Sequence, residues 1–91
     1  MARRGDERGD ETTTLVLAVL ASEGPLHGYG IVRAIARRSA SALKPGEGVL
    51  YPALMALERD GLIAGAWDQP TPGRPPRKVY TLTDDGRAAL E

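Results

Sequence analysis

The sequence predicts a single, mainly helical domain that carries one small β-hairpin. Two features of its pattern point there: three segments place apolar residues at three- and four-residue spacing, and two short runs rich in β-branched and aromatic residues flank a stretch dense in Pro and Gly. A length of 91 residues leaves room for one core. A chain of that size buries only about 60% of its unfolded surface, so every apolar face is needed.

Residues 1–11 are charged and without periodicity, which reads as a disordered tail ahead of a domain spanning 12–91. Thr12, Thr13 and Thr14 offer N-cap hydroxyls to a first helix whose body, Leu15 to Ala21, is apolar nearly all round and must be covered on several sides. Gly24-Pro25 stops it. A second helix starts near His27-Gly28, burying Ile31, Val32 and Ile35 while Arg33 and Arg37 share another face. After a polar stretch and the turn Lys44 to Gly48, a third helix over 48–60 buries Leu50, Ala53, Leu54 and Leu57 and stops at Asp60-Gly61. Pro52 requires that helix to start at about Gly48 or Val49, because only first-turn residues have no intrahelical N–H bond to lose. Leu62 to Trp67 and Lys78 to Leu82 are the strands, joined by a long tip. Thr83 then caps a short final helix with Asp84 and Asp85 in its first turn.

Composition excludes several functions. With no Cys and a single His, disulfides, thiolate chemistry and zinc sites are ruled out, and no metal or other cofactor is expected. No nucleophile–base pair or phosphate-cradling Gly loop is visible, so no catalytic residues are assigned and no enzyme is expected; His27 reads as a packing or capping residue. The longest apolar run is far short of the roughly 20 residues a membrane span requires, and the N-terminus has no apolar core of a secretory signal, so a cytoplasmic location is expected. The formal net charge is zero, yet between Arg33 and Lys78 eight basic residues face four acidic ones. The compensating acids sit near the ends, which permits a basic face on a neutral protein.

Helix, helix, turn, helix, hairpin, helix is the element order of a winged helix-turn-helix. Four phrases resemble the PadR family of transcriptional regulators: Gly24-Pro25-Leu26-His27-Gly28-Tyr29; Leu50-Tyr51-Pro52-Ala53-Leu54 with Leu57-Glu58 and Asp60-Gly61-Leu62-Ile63; Gly73-Arg74-Pro75-Pro76-Arg77-Lys78-Val79-Tyr80; and Leu82-Thr83-Asp84-Asp85-Gly86-Arg87. The resemblance covers residues 15–90 and implies a dimeric repressor of double-stranded DNA, whose operator would be pseudo-palindromic if the dimer is two-fold. Two departures stand out. Val49 occupies a position where the family pattern has Ser or Thr, removing a hydroxyl suited to capping the helix and meeting a phosphate; and the final helix, long in the family and used for dimerisation, is short here. Leu15 and Val19 of the first helix, with Ala88 and Leu90 of the last, are the candidates for a homodimer interface.

The DNA contacts sort by chemistry. Arg37, Arg38, Lys44, Arg77 and Lys78 are phosphate candidates, which give affinity and salt dependence without sequence information. Major-groove reading falls to the outer side of the third helix: Gly48, Val49, Tyr51, Pro52, Met55, Ala56 and Arg59. That surface is poor in bidentate donors, so thymine methyls and shape are its expected readout, with the Tyr51 hydroxyl on a phosphate. The wing, residues 68–78, is stiffened by Pro and presents Arg74 to the minor groove. Tyr29 is expected in the core or between helices, and Trp67 beneath the wing. Two other readings stay open: a winged-helix protein–protein module, and a regulator responsive to a small aromatic effector held near Trp67 at a dimer interface.

Overall fold

The computed structural model describes residues 4–40, 45–69 and 71–91, with side chains from Glu11 onward. Lys44, one of the expected phosphate contacts, lies outside the described residues, as do residues 1–3 of the expected tail. The elements run α1 (Arg4–Glu23), β1 (Leu26–His27), α2 (Gly28–Arg38), α3 (Glu47–Arg59), β2 (Ile63–Trp67), β3 (Lys78–Leu82) and α4 (Asp84–Ala89). This is the mainly helical winged helix-turn-helix that the sequence predicts, with one strand more than expected.

That extra strand closes the sheet, whose order is β1-β3-β2, antiparallel throughout. β2 and β3 form the wing hairpin, in register from Ile63 opposite Leu82 to Trp67 opposite Lys78. β1 is only two residues, Leu26 opposite Tyr80 and His27 opposite Val79. Two residues carry no periodicity, so nothing in the pattern separates them from the loop after Gly24-Pro25.

α1 also differs from expectation. It begins at Arg4, so Thr12, Thr13 and Thr14 lie inside it instead of capping it. Once the apolar body is packed and the helix nucleated, each further residue adds one hydrogen bond, so polar residues can extend it outward. Its body is covered as its composition demands. Val16, Leu17, Val19 and Leu20 are buried in one core with Ile31 and Ile35 of α2, Leu50, Leu54 and Leu57 of α3, and Ile63, Tyr80 and Leu82 of the sheet.

α3 starts at Glu47 behind the N-cap position Gly46, close to the expected start, but Pro52 is then past the first turn. Proline lacks the N–H that would reach the Gly48 carbonyl; Gly48 is exposed, so water can satisfy that carbonyl. At the other end the helix closes through paired 6→1 and 5→2 backbone bonds: Leu62 N–H donates to the Leu57 carbonyl at 2.9 Å and Gly61 N–H to that of Glu58 at 3.1 Å. α3 thus passes into β2 with almost no slack. Thr83 caps α4 as expected, its Oγ1 accepting from Gly86 N–H at 3.0 Å while donating to the Gly61 carbonyl at 2.7 Å. One hydroxyl therefore ties α4 to the end of α3.

Candidate nucleic-acid interface

The outer side of α3 matches the helical spacing of its sequence. Leu50, Ala53, Leu54 and Leu57 face the core, while Gly48, Tyr51, Pro52 and Arg59 are exposed and Val49 and Ala56 sit half-buried on the flanks. Met55 is 71% exposed, unusual for a large thioether side chain in a chain that needs every apolar contact. Arg59 does not stand free: its Nε donates to Asp60 Oδ1 at 3.2 Å.

α2 enters the surface by its first turns. Tyr29, expected in the core or between helices, is 72% exposed, with the Arg33 guanidinium 5.7 Å from its ring centre. The signal was present in the spacing: Tyr29 stands four residues before Arg33, on the polar stripe that continues to Arg37. The Tyr51 ring of α3 leans over Gly28, the first residue of α2. Arg37 pairs with Glu23 at the end of α1 at 2.7 Å, which offsets part of its charge, although its side chain stays 60% exposed. Arg38 is exposed, with no acidic partner among the described residues.

In the wing, Thr71, Pro72, Gly73 and Arg74 make a tight turn in which Arg74 N–H donates to the Thr71 carbonyl at 3.0 Å. Gly73 has φ +84°, the left-handed value that the third position of a type II turn demands, and Pro72 presets the second. The turn holds Arg74 out at the tip. Asp68 N–H closes the base of the loop on the Arg77 carbonyl. Arg74 and Arg77 are exposed and, among the described residues, have no acidic partner.

Lys78, expected as a phosphate contact, already has an acidic partner. Its Nζ donates to Glu58 Oε1 of α3 at 3.0 Å in a half-buried pair, which offsets part of its charge. Trp67 departs too: it is 68% exposed instead of lying beneath the wing. Strand alternation puts it on the same face as Ile63 and Gly65, but at the far end of the hairpin, past the reach of the core. Tyr29, Arg33, Tyr51, Trp67 and Arg77 thereby surround a groove of about 660 Å³ between α2, α3 and the wing, with no Asp or Glu in its lining.

The expected dimer residues divide. Ala88 and Leu90 are exposed and Leu15 is half-buried, but Val19 is wholly enclosed by the chain's own core and has no surface to offer a partner. Among the described residues no His, Asp or Glu cluster could hold a metal ion, and no helix is long and apolar enough to cross a membrane.

The profile of the transcriptional regulator PadR-like family matches residues 16–91. The chain belongs to that family. Members are transcriptional regulators and not enzymes. Among solved structures, this PadR-like chain is similar to a transcriptional regulator from Clostridium thermocellum, with a TM-score of 0.78 and 29% identity over 91% of this chain and 77% of that one. A PadR family regulator from Eggerthella lenta is 35% identical with a TM-score of 0.71, covering 93% and 70%. Bacillus subtilis PadR, solved in complex with operator DNA, matches with a TM-score of 0.73 and 27% identity over 86% of this chain and 43% of that one. An uncharacterized 37.1 kDa protein in a transposon of Streptomyces fradiae is 39% identical over 84 residues; the match takes in 92% of this chain and 22% of the length of that relative.

Proposed function

We propose that this PadR-like chain binds double-stranded DNA as a sequence-specific repressor, with α3 in the major groove and the wing on the adjacent backbone and minor groove. The observation that carries the reading is the clustering of exposed groups. Tyr29, Tyr51, Trp67, Arg33 and Arg77 are exposed around a groove between α2, α3 and the wing whose lining contains no carboxylate, while Met55 of α3 and Arg74 of the wing are exposed outside it. A water-exposed surface that mixes aromatic rings with unneutralised guanidinium groups suits a sugar–phosphate backbone, and the apolar outer side of α3 suits thymine methyls and groove shape. That the Bacillus subtilis relative was solved in complex with operator DNA supports the DNA-binding part of this reading.

In this reading Arg38, Arg77 and the still exposed Arg37 grip phosphates, Arg33 joins them beside Tyr29, and Arg74 enters the minor groove. Gly48, Val49, Tyr51, Pro52, Met55 and Ala56 meet the groove floor and walls. A homodimer built through Leu15, Ala88 and Leu90 would present two wings to a pseudo-palindromic operator.

The test is binding to a fluorescent duplex carrying the region upstream of the chain's own gene, at two salt concentrations and with random duplex as competitor. Salt-sensitive binding that survives the competitor is expected. Binding lost to competitor at every salt concentration would remove the claim of specificity, and no binding at all would remove the DNA reading.

A further inference from the structure

Lys78 heads β3, directly opposite Trp67. Arg77, one residue earlier, is exposed and lacks an acidic partner among the described residues, whereas Lys78 reaches across the sheet to Glu58 of α3. Its path depends on Gly65. A β-carbon there would stand 2.5 Å from Lys78 Cε and 3.1 Å from Glu58 Oε2, so any side chain at 65 would push the pair apart. The ammonium is also 6.0 Å from the Trp67 ring centre and 5.7 Å from that of Tyr80.

The placement matters because of how the wing is attached. The base of the hairpin is held by the 6→1 turn at Gly61-Leu62, by Thr83 Oγ1 on the Gly61 carbonyl, and by burial of Ile63, Tyr80 and Leu82 in the core. The Lys78–Glu58 pair adds a tie at the opposite, outer end of the ladder, where Lys78 faces Trp67, to the last turn of the same helix. A tie so far from the base resists a tilt of the outer wing that contacts at the base oppose with little leverage.

We infer that Lys78 is a positioning residue: its pair with Glu58, laid across Gly65, fixes the angle between wing and recognition helix so that both meet one duplex together. The inference rests on the DNA-binding reading for its consequence, but not for its geometry.

The experiment measures duplex affinity over a salt series and hydrogen exchange at the Asp68 amide, which closes the wing on the Arg77 carbonyl. The variants are Glu58→Gln, Lys78→Met, Gly65→Ala and the exchange Glu58→Lys with Lys78→Glu. Charge alone gives Glu58→Gln tighter binding, since an acid leaves the vicinity of phosphates. Positioning gives the opposite: Glu58→Gln weakens binding about fivefold, the size of a partly exposed pair. Lys78→Met does the same without lowering the salt slope, and Gly65→Ala reproduces the loss with no change of charge. Asp68 exchange accelerates in all three and slows again in the charge-swapped pair. Tighter binding by Glu58→Gln, or a salt slope lowered by about 1 in Lys78→Met with unchanged Asp68 exchange, would make Lys78 a phosphate contact and overturn the inference. If the unaltered chain binds no duplex, the DNA reading fails, while Asp68 exchange still decides whether the pair holds the wing.

Discussion

The outer side of α3 and the wing lie side by side and are built from opposite materials. α3 shows Val49, Pro52, Met55 and Ala56, and its one guanidinium is engaged by Asp60. The wing shows Arg74 and Arg77 with no acidic partners among the described residues, held out by Pro72, Pro75 and Pro76. An apolar surface discriminates by fit and gives little long-range attraction, whereas charges attract every duplex and distinguish few. In the proposed function, selectivity and affinity therefore fall to different elements, and each should be alterable without the other.

The comparison is sharpest where the two sides of α3 are set against each other. Leu54, 1% exposed, should cost about 2–5 kcal/mol of stability as Leu54→Ala, a large fraction of what so small a domain has, read as a lowered midpoint in thermal or urea unfolding. One residue along, Met55→Lys should leave that midpoint nearly unchanged but reorder duplex preference by about tenfold, measured by competition among operator variants. An unchanged order would mean that Met55 does not face the groove.

For the wing, Arg74→Ala with Arg77→Ala should weaken all duplexes alike and reduce the slope of log affinity against log salt by about 2. A loss confined to one sequence would break the division of labour. Gly73→Ala forces a β-carbon into a left-handed backbone, costing about 1–2 kcal/mol locally; a small fall in affinity with little change in unfolding midpoint is expected, since the tip packs on nothing.

The smallest effect is alkaline. Hydrogen bonding and charge from Glu58 hold Lys78 above its ordinary value of 10.5, and burial holds Tyr80 above 10.0. For Lys78, the stabilisation is complete below 10.5 and is lost as pH rises through its raised value. For Tyr80, the folded state resists deprotonation, so the fold weakens once pH passes 10.0. Both act in the same direction. Unfolding followed by circular dichroism from pH 9 upward should show a falling midpoint, less steeply in Glu58→Gln.

Where helical periodicity ran over several turns, the sequence was a reliable guide. The inner side of α3 and the Thr83 cap appear where spacing and chemistry placed them, because each residue there is committed by neighbours three and four positions away. What periodicity could not carry was anything decided across the chain. β1 exists only because β3 has a free edge; Trp67 is exposed because the core ends before its strand does. Lys78 turns inward because Glu58, 20 residues earlier, waits across a glycine. The α1 extension is a different failure, in which charged residues read as tail are recruited onto a helix already anchored.

β3 is gripped from both sides, by β2 along its length and by β1 at Val79 and Tyr80. Its attachment to the rest of the molecule therefore does not depend on the covalent connection through the wing tip. A protease cutting at the exposed Gly73-Arg74 bond would leave two pieces still assembled, the shorter carrying β3, the Thr83 cap and α4. The same bond is a natural place to divide the gene, so that two separately expressed halves recover the fold only when they meet.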